Sequence, residues 1–91
     1  MELKQISYTP EQIQDIIKDI TMFKVFSSNV LALGYSEKYQ VLRVIFKNKT
    51  SYLYFNVEPN IWEQLKVCNS KGSVLRESVI KHKDKYKFIK L

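Results

Sequence analysis

The sequence predicts an α+β domain, with a three-stranded antiparallel sheet followed by two helices and preceded by an additional N-terminal amphipathic helix. A length of 91 residues suits one hydrophobic core. With 45% hydrophobic and 13% aromatic residues, the chain can bury such a core, and only 2 Gly and 2 Pro argue against a linker. We therefore predict a single domain over residues 1–91, with residues 1–26 as a helical extension and residues 27–91 as the main unit.

The N-terminal helix is predicted from its start signal and its apolar periodicity. Thr9 can cap the helix, Pro10 suits the first helical position, and Gln12 completes a capping box. The helix is predicted to end near Met22, with a short apolar link over residues 23–26. Its apolar stripe consists of Ile13, Ile16, Ile17 and Ile20.

Three strand-like segments follow, over residues 30–35, 40–47 and 50–57. All three are rich in β-branched and aromatic side chains. The connections between them, residues 36–39 and 48–49, are too short for a crossover, so the strands are expected to pair antiparallel.

The register of the second hairpin decides which way its tyrosines face. A two-residue turn at Asn48-Lys49 would place Tyr52 and Tyr54 on the same face as Arg43, where they could form an exposed stacking surface. A three-residue loop over residues 47–49, with Lys49 left-handed, moves both tyrosines to the opposite face. In that register the tyrosines belong to the core, together with Leu42, Val44 and Phe46.

Two helices are predicted in the last third of the chain. Glu58-Pro59 opens the first, whose apolar face carries Trp62 and Leu65, both assigned to the core, and also Cys68. Ser70 can cap the second helix. The tail over residues 81–91 alternates lysines with aromatic residues and can be extended or helical.

Most of the excess positive charge lies in this last third. Residues 1–60 carry seven Lys/Arg and six Asp/Glu, whereas residues 61–91 carry eight and three. If the tail is extended, its lysines at period two point the same way and can follow a phosphate backbone. The alternative is a solvated lysine-rich edge that discourages aggregation. The candidate nucleic-acid-binding residues are Arg43, Lys71, Arg76, Lys81, Lys83, Lys85 and Lys87.

A second anion site is suggested at Ser70, where the last of the predicted helices starts. Ser70, Lys71, Gly72 and Ser73 could offer backbone amides to a small anionic ligand such as a nucleotide. The segment lacks the flanking glycines and the preceding strand of a P-loop, so a capped turn is the alternative interpretation.

Several of these segments together resemble the KTSC domain, over about residues 27–91. The matching pieces are Ser28-Asn29-Val30, the alternation of Leu42, Val44 and Phe46, then Tyr52, Tyr54 and Val57, Ser70-Lys71-Gly72, and residues 86–91. That family takes its name from the C-terminus of some lysyl-tRNA synthetases and includes small bacterial and phage proteins. The resemblance implies RNA binding through the synthetase association. It also favours inward-facing tyrosines, because members typically have Asn-Gly at the hairpin loop.

The sheet has a second apolar face, which needs a cover of its own. Leu53 and Phe55 alternate with the tyrosines, so they lie on the other side of the strand. Either the N-terminal helix covers this face or a protein partner does, as a homodimer or as a phage-type regulator docked on a host or defence protein. The candidate interaction face comprises Ile13, Ile16, Ile17, Ile20, Leu53 and Phe55.

Composition argues against several other functions. One Cys and one His are too few for a metal site, so no metal and no cofactor are expected, and the sequence contains no enzyme signature. No apolar run is long enough to span a membrane, and the N-terminus lacks the layout of a signal peptide. A single cysteine agrees with a reducing compartment, so the expected location is cytoplasmic.

Overall fold

A five-stranded antiparallel sheet with helices on both faces is the framework of the protein. The computed structural model describes residues 8–82 and 85–91. Its elements in chain order are α1 (Pro10–Asp19), β1 (Thr21–Lys24), β2 (Val30–Ser36), β3 (Val41–Phe46), β4 (Ser51–Tyr54), α2 (Pro59–Val67), α3 (Lys71–Leu75), a π-helical segment (Arg76–Ile80) and β5 (Phe88–Lys90). The strands lie in the order β1-β2-β3-β4-β5. The α+β class is confirmed, but the predicted number of three strands is wrong, because β1 and β5 extend the sheet at its two edges.

Helix α1 starts at the predicted capping box. The Thr9 hydroxyl accepts a hydrogen bond from the backbone N–H of Gln12 at 3.1 Å, and the Gln12 side chain accepts one from the backbone N–H of Thr9 at 2.9 Å. The helix ends at Asp19, earlier than predicted, because Ile20 already has extended dihedral angles, with φ −95° and ψ 125°. The isoleucine periodicity continues past this point, which explains the error.

Strand β1 replaces the predicted end of the helix and the link after it. Met22 pairs with Gly34 of β2. A Cβ atom at Gly34 would lie 2.7 Å from the Thr21 carbonyl oxygen and 2.6 Å from the Ile20 side chain. Because only a glycine leaves that space free, Gly34 allows the chain leaving α1 to cross closely over β2.

The hairpin between β3 and β4 has the three-residue loop. Val44 pairs with Tyr52, and the Phe46 backbone N–H donates to the Thr50 carbonyl at 2.9 Å. Lys49 is left-handed at φ 73°, a conformation that costs a non-glycine residue about 1 kcal/mol. The Asn48 side chain supports the loop by accepting from both the backbone N–H and the hydroxyl of Thr50.

One face of the sheet, here called the α2 face, packs against α2, α3 and the π-helical segment. Tyr54 is 7% exposed in this cluster, whereas Tyr52 and Phe46 are half-buried at its margin. The Tyr35 ring stacks on Trp62 with centroids 5.7 Å apart. The buried cluster comprises Val30, Leu33, Tyr35, Leu42, Val44, Tyr54, Val57, Trp62, Leu65, Leu75, Val79 and Tyr86.

The opposite face of the sheet, the α1 face, is covered by the chain's own N-terminal helix. Its buried residues are Ile16, Ile20, Val41, Leu53 and Phe55, and Ile13 and Ile17 pack against them. The predicted interaction face of Ile13, Ile16, Ile17, Ile20, Leu53 and Phe55 is therefore corrected. Its helical and sheet residues pack on each other within the chain, so these side chains do not form an exposed surface for a partner.

The C-terminal part returns to the sheet after a short helical stretch. α3 covers only five residues before the backbone widens into the π-helical segment. β5 then pairs with β4, with Leu53 opposite Ile89. Within the parts of the chain described, no helix is long and apolar enough to cross a membrane.

Candidate nucleic-acid interface

The predicted row of tail lysines is not formed by the members that can be placed. Lys81 follows the π-helical segment in a turn, Lys85 lies in another turn, and only residues 88–90 are a strand. The Lys81 ammonium pairs with Glu77 at 3.2 Å, and that of Lys85 pairs with Glu58 at 3.2 Å. The row fails because Lys81 and Lys85 lie in turns and not in one extended strand; Lys83 lies outside the described residues.

Lys71 has a structural role that the sequence did not indicate. Its ammonium group donates to the carbonyl oxygens of Leu65 at 2.9 Å, Cys68 at 3.1 Å and Lys66 at 3.4 Å. These carbonyls end α2, where a positive charge complements the helix dipole. The interpretation of Lys71 as an anion ligand is therefore corrected, since its charge is directed at α2.

The predicted anion site at Ser70–Ser73 has a different geometry from the one expected. The Ser70 side chain makes no capping hydrogen bond, and the helix after it is a single short turn. A Cβ atom at Gly72 would lie 2.8 Å from Asn29 Oδ1 and 3.1 Å from Ser27 Oγ. Gly72 thus lets α3 approach the segment that precedes β2.

This approach creates a polar cleft of about 290 Å³ between the two segments. Arg76, which is exposed, lies at its side on the π-helical segment. The cleft joins two pieces of sequence that both carry the family resemblance, Ser28-Asn29 and Ser70-Lys71-Gly72. Its lining residues are Phe26, Ser27, Ser28, Asn29, Asn69, Ser70, Lys71, Gly72, Ser73 and Arg76.

Arg43 is separated from the tyrosines by the sheet itself. Its backbone pairs with Leu53, so its side chain lies on the α1 face, where Nε donates to Ser51 Oγ at 3.1 Å. The tyrosines lie on the α2 face. The exposed stacking surface of Arg43 with Tyr52 and Tyr54 is therefore not formed, because the three-residue loop sets the other register.

An aromatic cleft of about 260 Å³ lies on the α2 face, near the end of the hairpin. The Tyr52 ring is central, with its centroid 5.8 Å from that of Phe46 and 5.8 Å from that of Phe88. Phe88 is 42% exposed, so its ring is open to solvent. The lining residues are Phe46, Tyr52, Tyr54, Val79, Ile80, Tyr86 and Phe88.

A third cleft lies beside both the aromatic cleft and the polar cleft. This loop cleft, of about 430 Å³, shares Phe46 and Tyr52 with the first and Ser28 and Asn29 with the second. The Lys47 backbone N–H donates to the Asn29 carbonyl at 2.9 Å, which holds the hairpin loop beside the polar cleft. Its lining residues are Ser28, Asn29, Phe46, Lys47, Asn48, Thr50 and Tyr52. The three clefts together are named the composite groove.

Positive charges occur along the composite groove. Arg76 lies at the polar cleft and Lys47 at the loop cleft, while Lys90 pairs with Tyr52 and so shares its face beside the aromatic cleft. Among the residues the structure describes, no carboxylate lines any of the three clefts. The groove residues that were not predicted as site residues from the sequence include Asn29, Lys47, Phe88 and Lys90, although Asn29 belongs to a matching piece of the family resemblance.

The one cysteine and the one histidine, which were considered for metal binding, contact backbone atoms. Cys68 Sγ donates to the Leu65 carbonyl at 3.4 Å, and His82 Nε2 lies 2.9 Å from the Glu77 carbonyl oxygen. Within residues 8–82 and 85–91, no group of three or more His, Cys, Asp and Glu side chains is placed to hold a metal ion.

Glu58 fixes the C-terminal segment to the start of α2. The buried Tyr86 hydroxyl donates to Glu58 Oε1 at 2.7 Å, and Lys85 pairs with the other oxygen. The hydrogen bond from Tyr86, followed by a backbone hydrogen bond of Glu58 and then by the weaker interaction with Lys85, holds the pKa of the Glu58 carboxyl below its ordinary value of 4.5. Burial, followed by the hydrogen bond to Glu58, raises the pKa of Tyr86.

This contact predicts an acid-dependent loss of stability. Because the folded-state pKa of Glu58 is lowered, its charged form contributes stability that is present above the unfolded value of 4.5 and is lost as the pH falls through the folded value. We expect Glu58→Gln to lower the melting temperature at about pH 7 and to lower it less at about pH 3, where part of the contribution of the charged form is lost. Glu63→Gln removes an exposed pair with Lys66 and is the matched control, with little effect at either pH. An equal effect of Glu58→Gln at both pH values would contradict the assignment.

The comparisons with known proteins agree with this fold. The family model described as the KTSC domain matches residues 26–86. The chain is similar to the crystal structure of a KTSC domain protein from Yersinia pestis, with a TM-score of 0.70 and 26% sequence identity. That similarity covers 79% of this chain and 97% of the other. No curated protein is similar enough to this chain to count as a relative. The chain belongs to the KTSC domain family.

Proposed function

We propose that this KTSC domain is a non-catalytic module that binds single-stranded nucleic acid, RNA foremost, in the composite groove. The observation that carries the proposal is that the aromatic, loop and polar clefts are neighbours, since the loop cleft shares Phe46 and Tyr52 with the first and Ser28 and Asn29 with the last. Single-strand binding proteins combine aromatic rings for the bases with cations that follow the backbone. The class of ligand is the one predicted from the sequence, but the proposed site is this groove and not the C-terminal tail.

The aromatic cleft suits bases. Phe88 offers the most open ring of the cleft, and Tyr52 is half-buried beside it. Stacking of a base on an aromatic ring contributes about 1–3 kcal/mol and tolerates any base, since every base has a π-face. The register that makes Tyr54 a core residue therefore still leaves Tyr52 and Phe88 on an open surface.

The loop and polar clefts suit the sugar-phosphate backbone. Lys47 and Arg76 are exposed cations, and the Ser and Asn side chains between them supply neutral hydrogen-bonding groups. Phosphate contacts of this kind position a strand without reading its sequence. The small-anion site predicted at Ser70–Ser73 is not part of the proposal, because the Lys71 ammonium is directed at α2.

Titration at two salt concentrations tests the proposal. We expect a labelled uridine oligonucleotide of about 10 nucleotides to bind saturably, as followed by fluorescence anisotropy. Three phosphate contacts, at Lys47, Arg76 and Lys90, predict a log–log salt slope of about −2, so affinity should fall roughly 20-fold between about 0.05 and 0.2 M salt.

Lys24→Glu is the control for this titration. It lowers the net charge by two, as a reversal of any groove cation would, but it lies on β1, at the opposite edge of the sheet from β5. Its affinity should stay close to that of the unaltered protein. Absence of binding to both RNA and single-stranded DNA at the lower salt concentration would refute the proposal.

A further inference from the structure

Strand β1 is an open edge of the sheet. It pairs only with β2 among the described strands, and its neighbour Val25 donates its backbone N–H to the Leu31 carbonyl at 3.1 Å. Because backbone groups alternate along an antiparallel strand, the N–H and C=O groups of Met22 and Lys24 point away from β2. An edge of this kind can accept another extended segment.

An apolar groove lies beside this edge, on the α2 face. It encloses about 300 Å³, and the ring centroid of Phe23 lies 6.4 Å from that of Trp62. Phe23 is 55% exposed, which is unusual for so large an apolar side chain. The groove, named the tryptophan groove, is lined by Phe23, Lys24, Val25, Leu33, Trp62, Leu65, Lys66 and Lys71.

Basic side chains flank β1 on both faces of the sheet. On the α2 face, the Lys66 ammonium lies 6.0 Å from the Trp62 ring centroid while pairing with the exposed Glu63. Lys24 is exposed on β1, and because it alternates with Phe23 its side chain lies on the α1 face, across the strand from the tryptophan groove. A second copy of the chain does not fit this surface well. An antiparallel β1–β1 contact would bring two copies of Lys24 onto one short ladder, and each chain already carries a net charge of +6. Charge complementarity therefore favours an acidic partner.

We infer that β1 and the tryptophan groove dock an extended acidic segment of another protein. The segment adds a strand to β1 through the outward backbone groups of Met22 and Lys24. It places one large apolar side chain against Phe23 and Trp62. Because the side chains of the added strand alternate, its carboxylates meet Lys66 beside the groove and Lys24 on the α1 face. In such strand addition, the backbone hydrogen bonds supply affinity and the pocket for a side chain supplies specificity.

The single tryptophan of the chain allows a direct test. The probe is a blocked peptide of about eight residues, with a central leucine between valines and two glutamates at each end. We expect a saturable change in Trp62 emission on titration with this peptide. A peptide with lysines in place of the glutamates should produce no saturable change, because its charge has the same sign as those of Lys24 and Lys66.

Two variants locate the contact. Phe23→Ser and Lys24→Glu alter exposed side chains, so both should fold, and each should weaken peptide binding about tenfold or more. Lys47→Glu, an identical charge change in the composite groove, should leave peptide affinity unchanged. The inference is overturned by an unchanged emission up to about 1 mM peptide, or by equal affinities of Lys24→Glu and Lys47→Glu. It is overturned as well if sedimentation shows that the protein alone dimerises and that Lys24→Glu alters this dimer.

Discussion

Replacing Leu53 with alanine is expected to lower the free energy of unfolding by about 2–5 kcal/mol, the range for a buried leucine that leaves a cavity. Leu53 is 0% exposed on the α1 face, in the same buried cluster as Ile16 and Val41. A loss of this size is a large fraction of the stability of a small domain, which is usually about 5–15 kcal/mol. Urea denaturation measures it as a lower midpoint with an unchanged slope.

Leu31→Ala is the matched control, because it makes the same change on β2 where the side chain is exposed. It should change the free energy of unfolding by less than about 0.5 kcal/mol. If α1 covers this face, Ile16→Ala and Leu53→Ala should also be non-additive in a double-mutant cycle. A small effect of Leu53→Ala, equal to that of Leu31→Ala, would contradict the packing of α1 on its own sheet.

Reversing the charges of Lys47 and Arg76 together is expected to lower oligonucleotide affinity by roughly 100-fold or more at about 0.05 M salt. Each phosphate contact to a single strand contributes about 0.7 to the salt slope, which corresponds to roughly tenfold in affinity at that salt concentration. The double variant Lys47→Glu/Arg76→Glu should also reduce the magnitude of the slope by about 1.4. Anisotropy titrations over a range of salt concentrations provide both quantities.

The double variant Lys24→Glu/Lys66→Glu carries the same net charge and is the control. Neither Lys24 nor Lys66 lines any of the three clefts. If affinity depends on net charge alone, the two double variants will bind equally weakly, and the assignment to the composite groove will be wrong. If the groove binds the strand, only the first variant will lose most of its affinity.

Local signals in the sequence were sufficient for several elements of the fold. The capping box at Thr9 and Gln12 marks a helix start through hydrogen bonds within a few residues, so no tertiary contact is needed to recognise it. The hairpin register was left open by the residues alone, and the structure has the three-residue loop with Lys49 left-handed. A glycine at that position would have indicated a left-handed residue and therefore the three-residue loop, whereas a lysine does not.

The two edge strands depend on tertiary contacts and could not be predicted locally. β1 exists because Gly34 leaves space for the chain to cross, whereas the sequence pattern divided its four residues between the end of the predicted helix and the link after it. β5 is three residues long and is defined by its pairing with β4. Such short segments carry little periodicity, so their partners determine their conformation.

The candidate site was predicted only in part, for a similar reason. Charge counting indicated the last third of the chain, but it cannot show which lysines are already engaged. Lys71 ends α2, and Lys81 and Lys85 have carboxylate partners. Two of the predicted cations, Lys71 and Arg76, line the polar cleft. The Lys71 ammonium is directed at α2, whereas Arg76 is exposed. Lys47 belongs to the site because its backbone N–H donates to the Asn29 carbonyl, which holds the hairpin loop beside the polar cleft.

A nuclear magnetic resonance titration would locate the nucleic-acid contact most directly. The protein, at 10.8 kDa, suits amide chemical-shift mapping with an unlabelled uridine oligonucleotide at low salt. The proposed function predicts shifts that cluster at Asn29, Lys47, Tyr52, Arg76 and Phe88 and leave β1 unchanged. Absence of any shift at a saturating excess of oligonucleotide, or shifts confined to β1 and α2, would contradict binding in the composite groove.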